Sequence, residues 1–331
     1  MERVKTGLAL GKYAPLHAGH RHVIETARRE MDRVIVIVYD APSVTRIPLS
    51  VRAGWVRALY PDVDVIEAID GPEETGYTLP IMDAQERFLG SLLGGTKIDA
   101  FYSSEPYGDH VSRYLGCTNR QVDPDRTTNA VSGSAVRTDL HAHLDALDPV
   151  VRADVMPRIV LLGGPSTGKS TTAEALAARI GEPVCAEYGR DYWFAHQRYH
   201  RLSMADLETI AREQVRLERR VARQARRWVV ADTSPLTTLV YARYYYDRTS
   251  KELERIASEY HAYGRLVVLC DTDIPFDDSP DRSGPASRER IQALTVEELA
   301  ACELEYHVVS GTVDERVGRI ESIAQQWRYA W

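Results

Sequence analysis

The stretch Gly163–Ser170, GGPSTGKS, constrains the fold more than any other part of the chain. It follows an apolar run, RIVLL, and precedes a helical pattern. A glycine-rich turn between strand and helix is how a parallel α/β sheet presents backbone N–H groups and a helix N-terminus to phosphate. Parallel strands need crossover helices, so such a motif demands strand–helix alternation around it. The chain supplies that alternation on both sides. Strands are predicted at Thr6–Gly11, Arg33–Tyr39, Val63–Ile66 and Asp99–Ser103, then at Arg158–Gly163, Pro183–Glu187, Trp228–Asp232, Arg265–Asp271 and Tyr306–Ser310. At 331 residues the chain exceeds what one core usually fills, and DALDPVVRADVMP, Asp145–Pro157, carries two prolines and several acids where a boundary is needed. The expectation is α/β, with two doubly wound parallel-sheet domains at residues 1–150 and 157–331.

In the second domain, Gly163, Gly164, Pro165, Ser166, Thr167 and Gly168 would wrap the phosphates of ATP. Lys169 would reach the outer ones, Ser170 would ligate Mg²⁺, and Thr171 would follow on the helix. Ligands bind outside the carboxyl ends of parallel strands. Two carboxylates stand there, Glu187 closing PVCAEYGR and Asp232 closing WVVADTS. One would accept the proton of an attacking hydroxyl while the other holds Mg²⁺ or its water. Asp271–Ile291 mixes prolines, acids and the arginines Arg282, Arg288 and Arg290, a composition suited to a lid over a triphosphate. These parts read as a small-molecule kinase moving a γ-phosphoryl group to an alcohol.

In the first domain, GKYAPLHAGH, Gly11–His20, admits a metal site, an ordinary loop or a second phosphate device. A helix beginning near Gly19 points His20 and His22 to different faces, and no cysteine or carboxylate suited to support a metal-bound histidine stands close by in sequence, which argues against metal. The phosphate reading uses more of the residues. Gly11 ends a strand, Gly19 lets backbone approach a ligand, and imidazoles donate N–H bonds to polyphosphate.

GKYAPLHAGH resembles the G-x-F-x-P-x-H-x-G-H motif of nucleotidyltransferases, with Tyr13 where phenylalanine is common, and VSGSAVR, Val131–Arg137, resembles that superfamily's I-S-x-[TS]-x-x-R motif. The resemblance implies a Rossmann-like domain in which His17 and His20 contact ATP phosphates, with Lys12, Gly11, Tyr13 and Gly19 around them and Ser132, Ser134 and Arg137 closing from the other side. Adenylyl transfer to a phosphate anion needs positioning and charge neutralisation rather than a general base. A nucleotidyltransferase followed by a P-loop kinase resembles the NadR-type proteins, which join nicotinamide-mononucleotide adenylyltransferase to ribosylnicotinamide kinase. IPLSVR (Ile47–Arg52), YSSEPYG (Tyr102–Gly108), EYGRDY (Glu187–Tyr192) and DTSPLTT add to the similarity. It implies a NAD salvage enzyme using ATP and Mg²⁺, with Ser104, Tyr107, Tyr188 and Arg190 at substrate, Glu187 and Arg190 recognising ribose, and Asp232 as metal or base residue. Alternatives are a phosphopantetheine adenylyltransferase joined to dephospho-coenzyme A kinase, and a nucleotide-sensing regulator.

The totals set outer limits. A net charge of −7 argues against a nucleic-acid partner, and with the first motif starting at Gly11 the expectation is a chain without the helix-turn-helix domain of some NadR-type proteins. The arginine-crowded helix expected at Met204–Arg227 has a core face at Leu207, Ile210, Val215, Leu217 and Val221 and a Glu208–Arg212 pair, so it reads as a solvated helix. Four cysteines without CxxC read as buried free thiols. No signal or membrane-spanning run is evident, giving an expectation of a cytoplasmic protein with small-molecule partners. The aromatic end QWRYAW suits packing on the domain or on a second subunit of a homo-oligomer.

Overall fold

The computed structural model describes residues 4–72, 78–105, 107–125, 127–199, 201–277, 285–329 and 331. They form two compact units that divide between Arg152 and Ala153, Trp331 belonging with the first. The strands of the first unit are β1 (Thr6–Gly11), β2 (Arg33–Tyr39), β3 (Asp64–Ala68), β4 (Ala100–Ser103) and β5 (Thr118–Gln121). Its helices are α1 (Ala18–Glu30), α2 (Leu49–Leu59), α3 (Leu79–Leu93), α4 (Gly108–Leu115) and α5 (Gly133–Thr138), and α6 (Pro149–Val155) leads into the second unit. There the strands are β6 (Arg158–Leu162), β7 (Val184–Cys185), β8 (Val229–Asp232), β9 (Arg265–Cys270) and β10 (Tyr306–Val309). They alternate with α7 (Lys169–Ile180), α8 (Tyr188–His196), α9 (Met204–Ala222), α10 (Pro235–Tyr246), α11 (Lys251–His261), α12 (Pro285–Ala301) and α13 (Val313–Gln326).

All pairings within both sheets are parallel. The orders are β3-β2-β1-β4-β5 and β10-β9-β6-β8-β7. Strands such as RVIVIVY and RIVLL are apolar after their leading arginines because helices cover both faces. Alternate residues of β6 show this directly. Ile159 and Leu161 pack with Ala173 and Leu176 of α7 and Ile320 of α13, while Val160 and Leu162 pack with Leu236 of α10, Tyr260 of α11 and Leu299 of α12. In the first sheet the winding direction reverses at β1 and β4, which opens a crevice beyond their carboxyl ends. The turn after β1 is the histidine motif; the turn after central β6 is the glycine-rich loop.

Several expectations need correction. β5, TNRQ, is a largely exposed edge strand and lacks the apolar run that marks the others. β7 is only two residues long, which leaves Glu187 at the N-cap of α8 rather than in a strand. α9 stops at Ala222, not Arg227; its buried face keeps the expected Leu207 and Ile210 and adds Ala211, Gln214, Glu218 and Ala222, while Val215, Leu217 and Val221 are only half-buried. Cys185 and Cys270 are buried, but Cys302 is exposed. Among the described residues no helix is long and apolar enough to cross a membrane.

Candidate active sites

The two histidines of the first motif are bonded to the backbone that carries them. His17 is the N-cap of α1: its Nδ1 accepts the N–H of Gly19 at 3.1 Å, while Nδ1 of His20 accepts the N–H of His17 at 3.4 Å. This is a capping box made from imidazoles, and the rings stack with centroids 3.8 Å apart. An imidazole that accepts at Nδ1 carries its proton on Nε2 when neutral. Both rings therefore present Nε2–H as a donor. A Cβ on Gly133 would stand 3.4 Å from the Ala14 carbonyl and 3.9 Å from Nε2 of His17, so a side chain there would crowd the space before that donor. Arg137 binds the same turn, donating from Nη1 to the Ala14 carbonyl at 2.6 Å and from Nη2 to Ser134 Oγ at 3.2 Å. Burial pulls its guanidinium below the usual arginine range, yet it stays charged at neutral pH. Tyr13, at φ +48°, sets its buried ring edge-on to His20.

These groups face one cavity of about 800 Å³, large enough for nucleotide ligands. Gly11, Lys12, Tyr13, His17, Gly19, His20, Ser104, Tyr107, Ser132, Ser134 and Arg137 all line it. The two motifs lie more than a hundred residues apart in sequence and come together across the β1–β4 crevice.

In the second unit the loop conformation depends on glycine at two positions. Gly163 has φ +139°, and a Cβ there would stand 2.8 Å from the Cys270 carbonyl; Gly168, at φ +77°, caps α7. Lys169 opens α7, its Nζ donating to the Gly164 carbonyl at 2.9 Å. The loop is held from outside by Arg316, buried, whose Nη1 donates to the Thr167 carbonyl at 2.6 Å and whose Nη2 pairs with Asp273. A cavity of about 280 Å³ is lined by Gly163, Pro165, Ser166, Thr167, Gly168, Lys169, Ser170 and Thr171, and also by Glu187 and Arg190.

Four residues expected at this site are placed behind the cavity wall. Gly164 donates its N–H to Gln292 Oε1 at 2.8 Å. Tyr188 packs on the apolar cluster of α9, α10 and α11. Asp232 is buried below Thr233 and Ser234, which do line the cavity, and its Oδ1 has no hydrogen-bond partner. Arg288 donates to the Ile274 carbonyl at 2.8 Å and lies over the Phe276 ring, bracing the 271–277 segment. That segment also reaches the loop, Ser166 Oγ donating to the Asp277 carbonyl at 3.0 Å. Arg282 lies outside the described residues.

A cytidylyltransferase-like family model matches residues 8–139, and an AAA domain model matches residues 158–316. Two curated relatives are trifunctional NAD biosynthesis/regulator proteins NadR. That of Salmonella typhimurium is 24% identical over 97% of this chain and 82% of its own length, and that of Escherichia coli 24% identical over 91% and 77%. The chain is of the NadR type. Solved structures of NadR, one with NAD and AMP-PNP and one with NR, align over 98% of the chain and 96% of theirs at 20% identity, with TM-scores of 0.61 and 0.62, and share its fold.

In this NadR-type chain some supporting residues carry no motif of their own. Arg52, buried on α2, donates to the carbonyls of Lys12, Tyr39 and Ile47 and pairs with Asp40, fixing the first motif to β2. It sits in the quoted IPLSVR stretch, but nothing in the spacing shows that its target is backbone. Gln214, buried on α9, brackets Glu187: its Nε2 donates to the Ala186 carbonyl at 3.3 Å and its Oε1 accepts the Tyr188 N–H at 2.9 Å. Behind it Glu218 accepts from Tyr260 at 2.6 Å and faces Arg158 at 3.6 Å; burial raises the Glu218 carboxyl against those partners. Gln214→Leu keeps the volume and removes the bracket, so the kinase reaction should slow about tenfold with adenylyl transfer unchanged, as separate assays of the two reactions would report.

Ser234 beside this cavity contacts His261, Oγ to Nε2 at 3.0 Å, and burial draws the His261 pKa down to about 3. The folded state thus keeps His261 neutral while the unfolded chain protonates it below about pH 6.5. Stability from this group is complete above pH 6.5 and falls by about 1.4 kcal/mol per pH unit below it, until about pH 3. Denaturant titrations from pH 7 to 5 should show this slope, and His261→Gln should be flatter by roughly 2 kcal/mol over that interval.

Proposed function

We propose that the chain converts nicotinamide riboside to NAD in two ATP-dependent steps, the second unit making the mononucleotide and the first joining it to AMP with release of pyrophosphate. One observation carries the reading: beside the Lys169 loop, the same cavity brings together Glu187, Arg190 and three aromatic rings, Trp193, Tyr241 and Tyr245. The pyridinium of the riboside is a flat cation, and aromatic faces bind such cations. Arg190 and Glu187 would offer a donor and an acceptor to ribose hydroxyls, and the position of Glu187 on the cavity wall, with Asp232 behind it, supports Glu187 as the acceptor of the attacking 5′-hydroxyl's hydrogen bond. Lys169 and the loop N–H groups hold the triphosphate in line.

Mg²⁺ fits the residues present: Ser170 offers a hydroxyl on the cavity wall at the first turn of α7, and Asp232, beneath Thr233 and Ser234, offers an unpartnered Oδ1 that would reach the ion through a water. When bound it would neutralise charge on the phosphates. Arg288 would add charge beside the phosphates if its contact with the Ile274 carbonyl were exchanged for them. In the first unit the Nε2–H donors of His17 and His20, with Lys12 and Arg137, would hold the phosphates of a second ATP. The mononucleotide phosphate would attack the α-phosphorus as the bond to pyrophosphate breaks. A cytoplasmic setting, where ATP is plentiful, suits both steps.

The test offers the wild-type chain nicotinamide riboside, phosphopantetheine or dephospho-coenzyme A with ATP and Mg²⁺. The riboside alone should be phosphorylated. Turnover of the pantetheine compounds would favour the coenzyme A pair, and nucleotide binding without turnover a sensor.

A further inference from the structure

Besides the phosphate machinery, the larger cavity is lined from α3 and α4 by a pair that the adenylyl transfer itself does not use. His110 of α4 lies with Nδ1 3.2 Å from Glu86 Oε1 of α3, both side chains are less than one-fifth exposed, and both line the cavity with Gln85. The fixed cations among the described lining residues, Lys12 and Arg137, belong to the phosphate motifs. The α3–α4 wall adds the Glu86 carboxylate, and Glu105 lines the cavity after β4. Because an ionised carboxylate only accepts, His110 donates from Nδ1 in this contact.

We infer that the Glu86–His110 pair selects the pyridine carboxamide over the pyridine carboxylate in the mononucleotide, an inference that rests on the reading above. With the mononucleotide phosphate directed to the His17–Arg137 wall, its ring extends toward α3 and α4. A carboxamide N–H donates to an acceptor wall, whereas a carboxylate brings a second negative charge and no donor. Discrimination built from an unmatched hydrogen bond and a like charge is much steeper than discrimination by shape.

The experiment measures adenylyl transfer kcat/KM for the amide and acid mononucleotides in the full chain, for wild type, Glu86→Gln and His110→Gln. Wild type should prefer the amide. Each variant that still turns over the amide should narrow the preference at least tenfold, chiefly through a lower KM for the acid. Direct binding of the two mononucleotides, followed calorimetrically, gives the same ratio for a variant that is slow in turnover. A wild type indifferent to amide and acid, or ratios unchanged within twofold in both variants, overturns the inference. A wild type that adenylylates neither mononucleotide instead overturns the function on which it rests.

Discussion

Lys169→Met should leave nicotinamide riboside unphosphorylated while adenylyl transfer to supplied mononucleotide proceeds at the wild-type rate. Lys169 opens α7 directly after Gly168, and its Nζ lies within the loop, 2.9 Å from the Gly164 carbonyl, where the outer phosphates of a bound triphosphate would replace that contact. The ammonium is the one charged side chain of the loop, and negative charge develops in the transition state on the bridging oxygen of the departing ADP. Removing it should lower the kinase rate about a thousandfold or more. The fold should hold, because the loop's shape depends on Gly163, Gly168 and Arg316 rather than on the lysine. Riboside consumption and dinucleotide formation from mononucleotide, followed in the same preparation, check both halves of the expectation.

The converse loss should follow His17→Asn and His20→Ala. His17 has two tasks on this reading: Nδ1 caps α1, and the ring, which lines the cavity, would donate from Nε2 to phosphate. Alanine would remove both, losing about 1 kcal/mol of cap stabilisation as well as the donor. Asparagine is itself a favoured N-cap, so His17→Asn separates the tasks, keeping the helix start while withdrawing the ring. Adenylyl transfer should then fall about a hundredfold or more in kcat with a small change in KM for ATP, the signature of an interaction made mainly in the transition state. The riboside kinase reaction should be unaffected, and mononucleotide should accumulate. Wild-type kcat in both histidine variants would remove the assignment.

What could be read from residues alone follows a physical line. Motifs such as GGPSTGKS and GKYAPLHAGH are legible because glycine, lysine and histidine are required by backbone geometry and phosphate charge within a few residues of one another. Apolar parallel strands are legible because both faces are buried. β5 escaped because its TNRQ is an exposed edge whose membership rests on backbone pairing with β4. Gln214 and Glu218 escaped because polar residues on an arginine-rich helix read as solvated, whereas Tyr188, Ala186, Tyr260 and Arg158 partner them from distant parts of the chain. The aromatic wall of Trp193, Tyr241 and Tyr245 and the Glu86–His110 pair each join two helices, and no spacing rule in the sequence brings those helices together.

On this reading one chain holds two separate ATP sites, one transferring a γ-phosphoryl and the other an adenylyl group. Isotope position tests it most directly. The wild-type chain is supplied with nicotinamide riboside and either [γ-³²P]ATP or [α-³²P]ATP, and the dinucleotide is isolated and counted. Each dinucleotide should carry one phosphorus from the γ position and one from the α position, with two ATP molecules consumed. A dinucleotide lacking γ-derived label, or γ label that never leaves ATP, would contradict the account.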